Sequence, residues 1–217
     1  KRMLPFVRAL VLLCLPAATL LAGAAPAAQA ATPAAAPARP AATATSAREA
    51  GAAGAAQRAP LRYSLDPARS SLEFRFTRAG AVTRGRFARF TTRLDWPARG
   101  APPAATGAAL EVDIEVGSLD TADRDRDGTL RGADLFAVER FPRARFTATS
   151  FAPGPAAGSW LARGTLRIRD QERALALPLT LAFATRDGRR SATLQGRTTL
   201  RRLDFGVGQG EWRSTEW

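Results

Sequence analysis

The residues of this 217-residue chain best suited to chemistry are acidic. Asp123, Asp125 and Asp127 alternate with other residues, Gly128 follows, and Asp134 stands at the twelfth place counted from Asp123. An EF-hand calcium loop asks for oxygen ligands at places one, three, five and twelve, with glycine at six. Three features oppose that chemistry here. Arg124, Arg126 and Arg131 bring positive charge into the segment, no amphipathic helix precedes it, and the last ligand is Asp rather than the longer Glu. The competing assignment is an acidic helix N-terminus with arginine partners nearby.

A second set of carboxylates, Glu111, Asp113 and Glu115, falls on one face of a strand at steps of about 7 Å. Paired carboxylates can hydrolyse, but Leu110, Val112, Ile114 and Val116 occupy the alternate positions. The acids therefore face solvent. The chain has no His, and its one Cys, Cys14, lies near the start. Imidazole and thiolate metal sites and the usual nucleophile–base pairs are thereby excluded from the rest of the chain. An enzyme is not expected, nor a cofactor.

The first thirty residues read as an export signal. Lys1, Arg2 and Arg8 form a positive region, Ala9–Leu21 is an apolar run too short to span a bilayer, and Ala28-Gln29-Ala30 offers a cleavage site. Val11-Leu12-Leu13 before Cys14 is not the small residue that lipidation of that Cys requires. Cleavage after Ala30 would leave no disulfide to staple a periplasmic product, so stability must come from a filled core. It would also lower the net charge from +13 to +10. The arginines are scattered singly, without an interleaved aromatic patch, which argues against nucleic acid. Transient contact with an anionic membrane surface fits the charge better.

Residues 31–60 consist mostly of Ala, Pro, Thr and Gly and read as a disordered linker. From residue 61 to 217 the dominant period is two. Leu72, Phe74 and Phe76 alternate with charged or polar residues; so do Leu110–Val116, Leu166 with Ile168, and the face Leu175, Leu177, Leu179, Leu181 and Phe183. Ser191–Leu200 follows more weakly. Such alternation predicts antiparallel strands with one apolar face. Pro178 cannot donate to a ladder and predicts an edge position or a bulge. Turn residues separate the runs at Asp66-Pro67, Ala79-Gly80, Gly100–Pro103, Pro153–Gly158 and Asp187-Gly188. Around Arg86–Trp96 the apolar phase slips, from Phe87 to Phe90, Leu94 and Trp96, which predicts a bulge or a strong bend. Ala122–Val138 breaks the pattern and predicts one or two short helical turns. The expected fold is all-β: roughly eight strands in a barrel or sandwich with a helical insertion.

Several segments resemble the YceI-like family of polyisoprenoid-binding proteins. Tyr63–Phe74 is similar to its opening strands. Ser118-Leu119-Asp120-Thr121, with Asp127, Leu130 and Asp134-Leu135-Phe136, resembles its middle signature. Phe141-Pro142 with Phe146, Gly164-Thr165-Leu166, Leu175–Leu179 and Arg202–Gly208 follow in the family's order. The resemblance covers Tyr63–Trp217 and implies an extended, eight-stranded, lipocalin-like antiparallel barrel, exported, that binds an isoprenoid lipid or isoprenoid quinone. There are two departures. The family hairpin has Gly where Asp170 or Gln171 stands. The family also continues past a Gly-x-Trp segment into one more strand, whereas this sequence stops at Trp217. Either the sequence is cut short or the barrel lacks its closing strand, and an open edge invites homodimerisation or swapping.

An eight-stranded barrel is filled by side chains or holds one slender ligand. On the family's reading the inward residues Phe74, Phe76, Val112, Ile114, Phe136, Phe146, Leu166, Ile168, Leu179 and Phe205 contact the lipid. Arg202 and Asp204 are candidates for a head group at the mouth, though an inter-strand salt bridge or a turn-stabilising role suits them better. Each buried isoprene unit contributes roughly 3 kcal/mol, so a few units offset the several kcal/mol lost on association. The alternative is an interaction or stress-protective module whose core is fully packed.

Overall fold

The computed structural model describes residues 7–16, 60–78, 81–97 and 105–214. The expected cleavage site, nearly all of the expected linker, and the turns at Ala79-Gly80 and Gly100–Pro103 lie outside them. Eleven strands form one antiparallel sheet: β1 Val7–Pro16, β2 Leu61–Ser64, β3 Ser71–Arg78, β4 Ala81–Phe87, β5 Phe90–Trp96, β6 Ala109–Glu115, β7 Leu119–Asp120, β8 Arg143–Pro153, β9 Ser159–Ile168, β10 Gln171–Arg186 and β11 Arg189–Leu200. Their order is β2-β5-β6-β8-β9-β10-β11-β1-β3-β4-β7. The sheet curls back on itself where β4 runs into β5, since β4 pairs with β7 and β5 with β6. There the Ala88 N–H donates to the Ser118 carbonyl at 3.0 Å and the Glu115 N–H to the Arg89 carbonyl at 3.1 Å. The sheet is thus a nearly closed barrel, with one α-helix among the described residues, α1, at Arg124–Arg131.

The count exceeds eight for local reasons. The phase slip between Phe87 and Phe90 is a break at Ala88-Arg89 that divides one wall into β4 and β5. β7 has two residues and pairs only at Arg86↔Asp120 and Phe87↔Leu119. β1 lies between β11 and β3, from Val7↔Leu200 to Pro16↔Ser191 on one side and Leu10↔Glu73 to Leu12↔Ser71 on the other. The described part of the apolar run read as an export signal, up to Pro16, therefore occupies a place in the wall beside β11.

Alternation sends Leu72 and Phe74, Leu110 and Val112, Phe146 and Ala148, and Leu177, Leu179 and Leu181 into one core. Gly85 faces Phe74 directly across β3 and β4, and a Cβ there would collide with the Phe74 ring. The aromatic side chain fills the space that the glycine leaves. Asp187 and Gly188 have φ of 51° and 73°, the geometry of a two-residue hairpin turn that keeps the twist of the strands it joins. The β9–β10 hairpin lacks glycine, and Arg169 takes its φ of 56° instead. Its Nη1 donates to the carbonyls of Leu135 and Gly206, both at 2.6 Å, which fixes the turn against two loops.

Pro178 departs from its expected edge. β10 is an internal strand between β9 and β11, and Pro178 pairs with Leu161 of β9. Its effect is on the other side, where the ladder to β11 begins only at Leu179↔Gly196. With no N–H at Pro178, the two strands part below that point.

Candidate ligand-binding site

The helical insertion explains the acidic segment. Asp123 caps α1, its Oδ1 accepting from the Arg126 N–H at 3.1 Å and its Oδ2 from Arg126 Nη2 at 2.8 Å. Hydrogen bonding from that N–H holds its carboxyl below the usual range. Asp127 is buried and its Oδ1 accepts from the N–H and hydroxyl of Thr121 at 2.9 and 2.7 Å. The Asp134 carbonyl accepts from the N–H groups of Gly208 and Gln209. These residues fasten the helix over one end of the barrel. Among the described residues, no group of three or more His, Cys, Asp or Glu is placed to hold a metal ion.

The carboxylates of β6 lie on the outer face with arginine partners. Arg145 reaches Asp113 at 2.7 Å and Glu111 at 3.3 Å, and Arg89 holds Glu115 at 2.6 Å. The Arg89 hydrogen bond keeps the Glu115 carboxyl below its ordinary range. A pair of carboxylates free to share a proton, as hydrolysis needs, is not what this face presents.

The space lies inside the barrel at the end covered by α1. A cavity of about 120 Å³ is lined by Leu72, Phe74, Phe87, Val112, Ile114, Val116, Phe136, Ala144, Phe146, Leu166, Ile168, Leu175, Leu177, Gly196, Thr198, Leu200, Arg202, Phe205 and Val207. Only Thr198 and Arg202 in that lining carry polar side chains. The Arg202 guanidinium is committed to the turn that follows β11. Nη1 donates to the Val207 carbonyl and Nη2 to the Ser214 carbonyl, both at 2.9 Å, and burial pulls its pKa below the ordinary value. This is the turn-stabilising role.

Of the ten residues expected inside, Phe74, Val112, Ile114, Phe136, Phe146, Leu166, Ile168 and Phe205 line the cavity. Phe76 and Leu179 are not among its lining residues. Phe76 stacks on Phe74 at 6.2 Å beyond the edge of the space. Leu179 is buried where the β10–β11 ladder begins, above the cavity. Leu72, Phe87, Leu175, Leu177 and Leu200 were not anticipated as lining, although all but Phe87 sit on the apolar face of an alternating run. Val116 is the last residue of the alternating run Leu110–Val116 although it opens a 3-10 turn, and Val207 comes from a turn and carries no periodic signal.

The opposite end is closed by interlocked rings. Trp96 meets Phe151 at 5.5 Å and Trp160 at 5.0 Å, both edge-on, and Phe183 at 5.7 Å. Tyr63 adds a contact to Phe183 at 5.7 Å. Burial raises the Tyr63 pKa, with Arg190 acting the other way.

The model of the YceI-like domain family matches residues 63–216. Among solved structures, BcnA of Burkholderia cenocepacia superposes with a TM-score of 0.61 at 25% identity, over 69% of this chain and 89% of that one. The YCEI protein of Campylobacter jejuni gives a TM-score of 0.50 at 23% identity, over 57% of this chain and 70% of its own. A polyisoprenoid binding domain from Saccharophagus degradans reaches 0.38 at 12% identity, over 60% and 94%, a likeness too distant to bear on function. No curated protein matches the chain.

Proposed function

The chain belongs to the YceI-like family, and we propose that it holds the apolar part of an isoprenoid lipid or isoprenoid quinone in its barrel, as a periplasmic carrier or reservoir rather than an enzyme. The observation that carries this reading is an apolar cavity inside the barrel, lined from β3, β4, β6, β8, β9, β10 and β11 and by Phe136, Phe205 and Val207 from the loops. Such a lining recognises hydrocarbon by area alone, and polar chemistry is unnecessary for tight binding.

The volume sets a condition. An engineered cavity of about 150 Å³ takes a benzene, so about 120 Å³ admits one isoprene-sized group without rearrangement. A longer tail must widen the barrel. The small volume equally favours a packed module without ligand, and one experiment separates the two. Native mass spectrometry of the purified protein, followed by organic extraction, is expected to show a co-purifying lipid whose mass fits an isoprenoid chain. An empty barrel that also ignores added isoprenoid would favour the packed module.

Export with cleavage after Ala30 is part of the same proposal. It would remove β1 and uncover the facing edges of β11 and β3. A chain lacking residues 1–30 is therefore expected to associate with a second copy in a concentration-dependent way, as read by light scattering. A strictly monomeric product at high concentration would contradict an uncovered edge.

A further inference from the structure

We propose that the tip of the β10–β11 hairpin, at the Trp96 end of the barrel, docks on the surface of an anionic phospholipid bilayer, with Arg186, Arg189 and Arg190 on the lipid phosphates and Phe183 in the interface. The inference concerns the outer surface and holds whatever the barrel encloses. Its starting point is a hairpin longer than its neighbours. β9 stops pairing with β10 at Thr180↔Ser159, and β1 stops pairing with β11 at Pro16↔Ser191. From Thr185↔Arg190 to Arg186↔Arg189 the two strands have only each other. Every residue from Ala182 to Arg190 is exposed. The tip therefore projects past the wall on both sides.

The charge of this tip is not neutralised within the fold. Arg186 and Arg189 stand directly opposite each other, a like-charged pair that is unfavourable without a counter-charge. Arg190 adds a third guanidinium, close enough to Tyr63 to act on its hydroxyl. Among the described residues none of the three forms an ion pair, and neither does Asp187 in the turn between them. Arginines at the α1 end are committed by contrast. Arg86 holds Asp120, Arg89 holds Glu115 and Arg126 holds Asp123, while Arg169 and Arg202 bond to carbonyls. The Trp96 end is thus the one that offers free cations to an anionic surface.

Phe183 supplies the apolar part. It follows Leu181 on the inner face of β10, yet Leu181 is buried and Phe183 is 45% exposed. One side of its ring rests on Trp96 and Tyr63, each at 5.7 Å. The pairing Thr185↔Arg190 puts Arg190 on the same face, one step nearer the tip. Cations around an exposed ring are the composition of a segment that lies in the headgroup region of a membrane. Guanidinium groups take charge-assisted bonds from lipid phosphates, and the ring enters the boundary with the acyl chains. A soluble polyanion would satisfy the arginines and leave Phe183 in water.

The test is co-sedimentation of the full chain with phosphatidylcholine vesicles containing about one-third phosphatidylglycerol. Binding to pure phosphatidylcholine is subtracted, which removes any contribution from the apolar run near the N-terminus. The natural chain is expected to prefer the anionic vesicles and to lose that preference in 1 M salt. Each arginine at such a surface contributes roughly a factor of five, so R186Q/R189Q/R190Q is expected to bind about a hundredfold more weakly. Its melting curve should be unaltered or shifted up, because a like-charged pair has gone. R75Q/R84Q/R167Q removes the same charge, including the opposed pair Arg75↔Arg84, and is expected to cost less than about threefold. F183T, which keeps a residue suited to a strand, should weaken vesicle binding about fivefold and leave binding of polyglutamate unchanged. A natural chain without preference for anionic vesicles overturns the proposal. Equal losses in the two triple variants would assign the attraction to net charge and overturn it too. So would polyglutamate bound as tightly as vesicles with F183T without effect, since the tip would then be a site for soluble polyanions.

Discussion

The two ends of the barrel interior are built by the same strands yet do different things. At the Trp96 end, rings meet edge to face at 5.0 and 5.5 Å and close the barrel. At the α1 end, Phe74, Phe87 and Phe136 stand at 4.9 and 6.4 Å from one another around a space that they do not fill. The difference is one of shape, since both ends are apolar. Trp96, Trp160 and Phe151 meet ring to ring from β5, β9 and β8, whereas the side chains around the space at the α1 end leave it unfilled. Alternating hydrophobicity thus makes a barrel, and the sizes of particular side chains decide where it is hollow.

Substitutions that exchange the properties of the two ends sharpen this contrast. The largest effect is expected for Trp96→Ala, which removes the ring shared by three aromatic contacts. Chemical denaturation should show a loss of about 3–5 kcal/mol, and a loss below 1 kcal/mol would mean that this end is not the tighter one. Next come matched insertions. Ala162, fully buried and outside the cavity lining, has no room for a larger side chain, and Ala162→Leu is expected to destabilise by about 1–3 kcal/mol. Ala144 borders the cavity, so Ala144→Leu should cost clearly less in the same measurement. Equal losses at both positions would show the two ends to be packed alike.

How much of this was legible in the sequence depends on the kind of information. Phe146, Val112 and Leu166 follow from period two, because a strand has only two faces and one carries charge. The break at Phe87–Phe90 was visible as a lost phase, but its consequence, that Phe87 turns into the cavity, depends on which way the wall bends. Leu175, Leu177 and Leu179 share a face, and nothing local separates the two that border the cavity from the one above it. Height along the barrel axis depends on register between strands far apart in the chain. Pro178 shows the same limit from the other side: its missing N–H was evident, and its place on an internal strand was not.

Acid should separate the ends by a smaller amount. Near the α1 end, Glu115, Asp120 and Asp123 are held below their usual range, Glu115 by its bond from Arg89 and the other two chiefly by backbone N–H groups. Near the Trp96 end, Asp95 is lowered despite burial, which acts to raise it, because Arg62 and Arg93 hold it. A carboxyl lowered in the folded state contributes stability above its unfolded pKa and loses it as pH falls through the lowered value. Melting temperature should therefore be level down to about pH 5 and fall below about pH 4, with a weaker dependence in 1 M salt. Hydrogen exchange at low pH should loosen the α1 end first, where more of these carboxyls lie. Uniform loosening would remove this part of the contrast.

The central claim, that the hollow at the α1 end holds hydrocarbon, is tested most directly by native mass spectra of the natural chain and Ala144→Leu purified side by side. The natural chain is expected to carry an added mass that extraction identifies as an isoprenoid lipid, and Ala144→Leu, folded but with the space filled, is expected to have lost it. A natural chain that remains bare when offered isoprenoid, or a variant that carries the same lipid undiminished, would contradict the account.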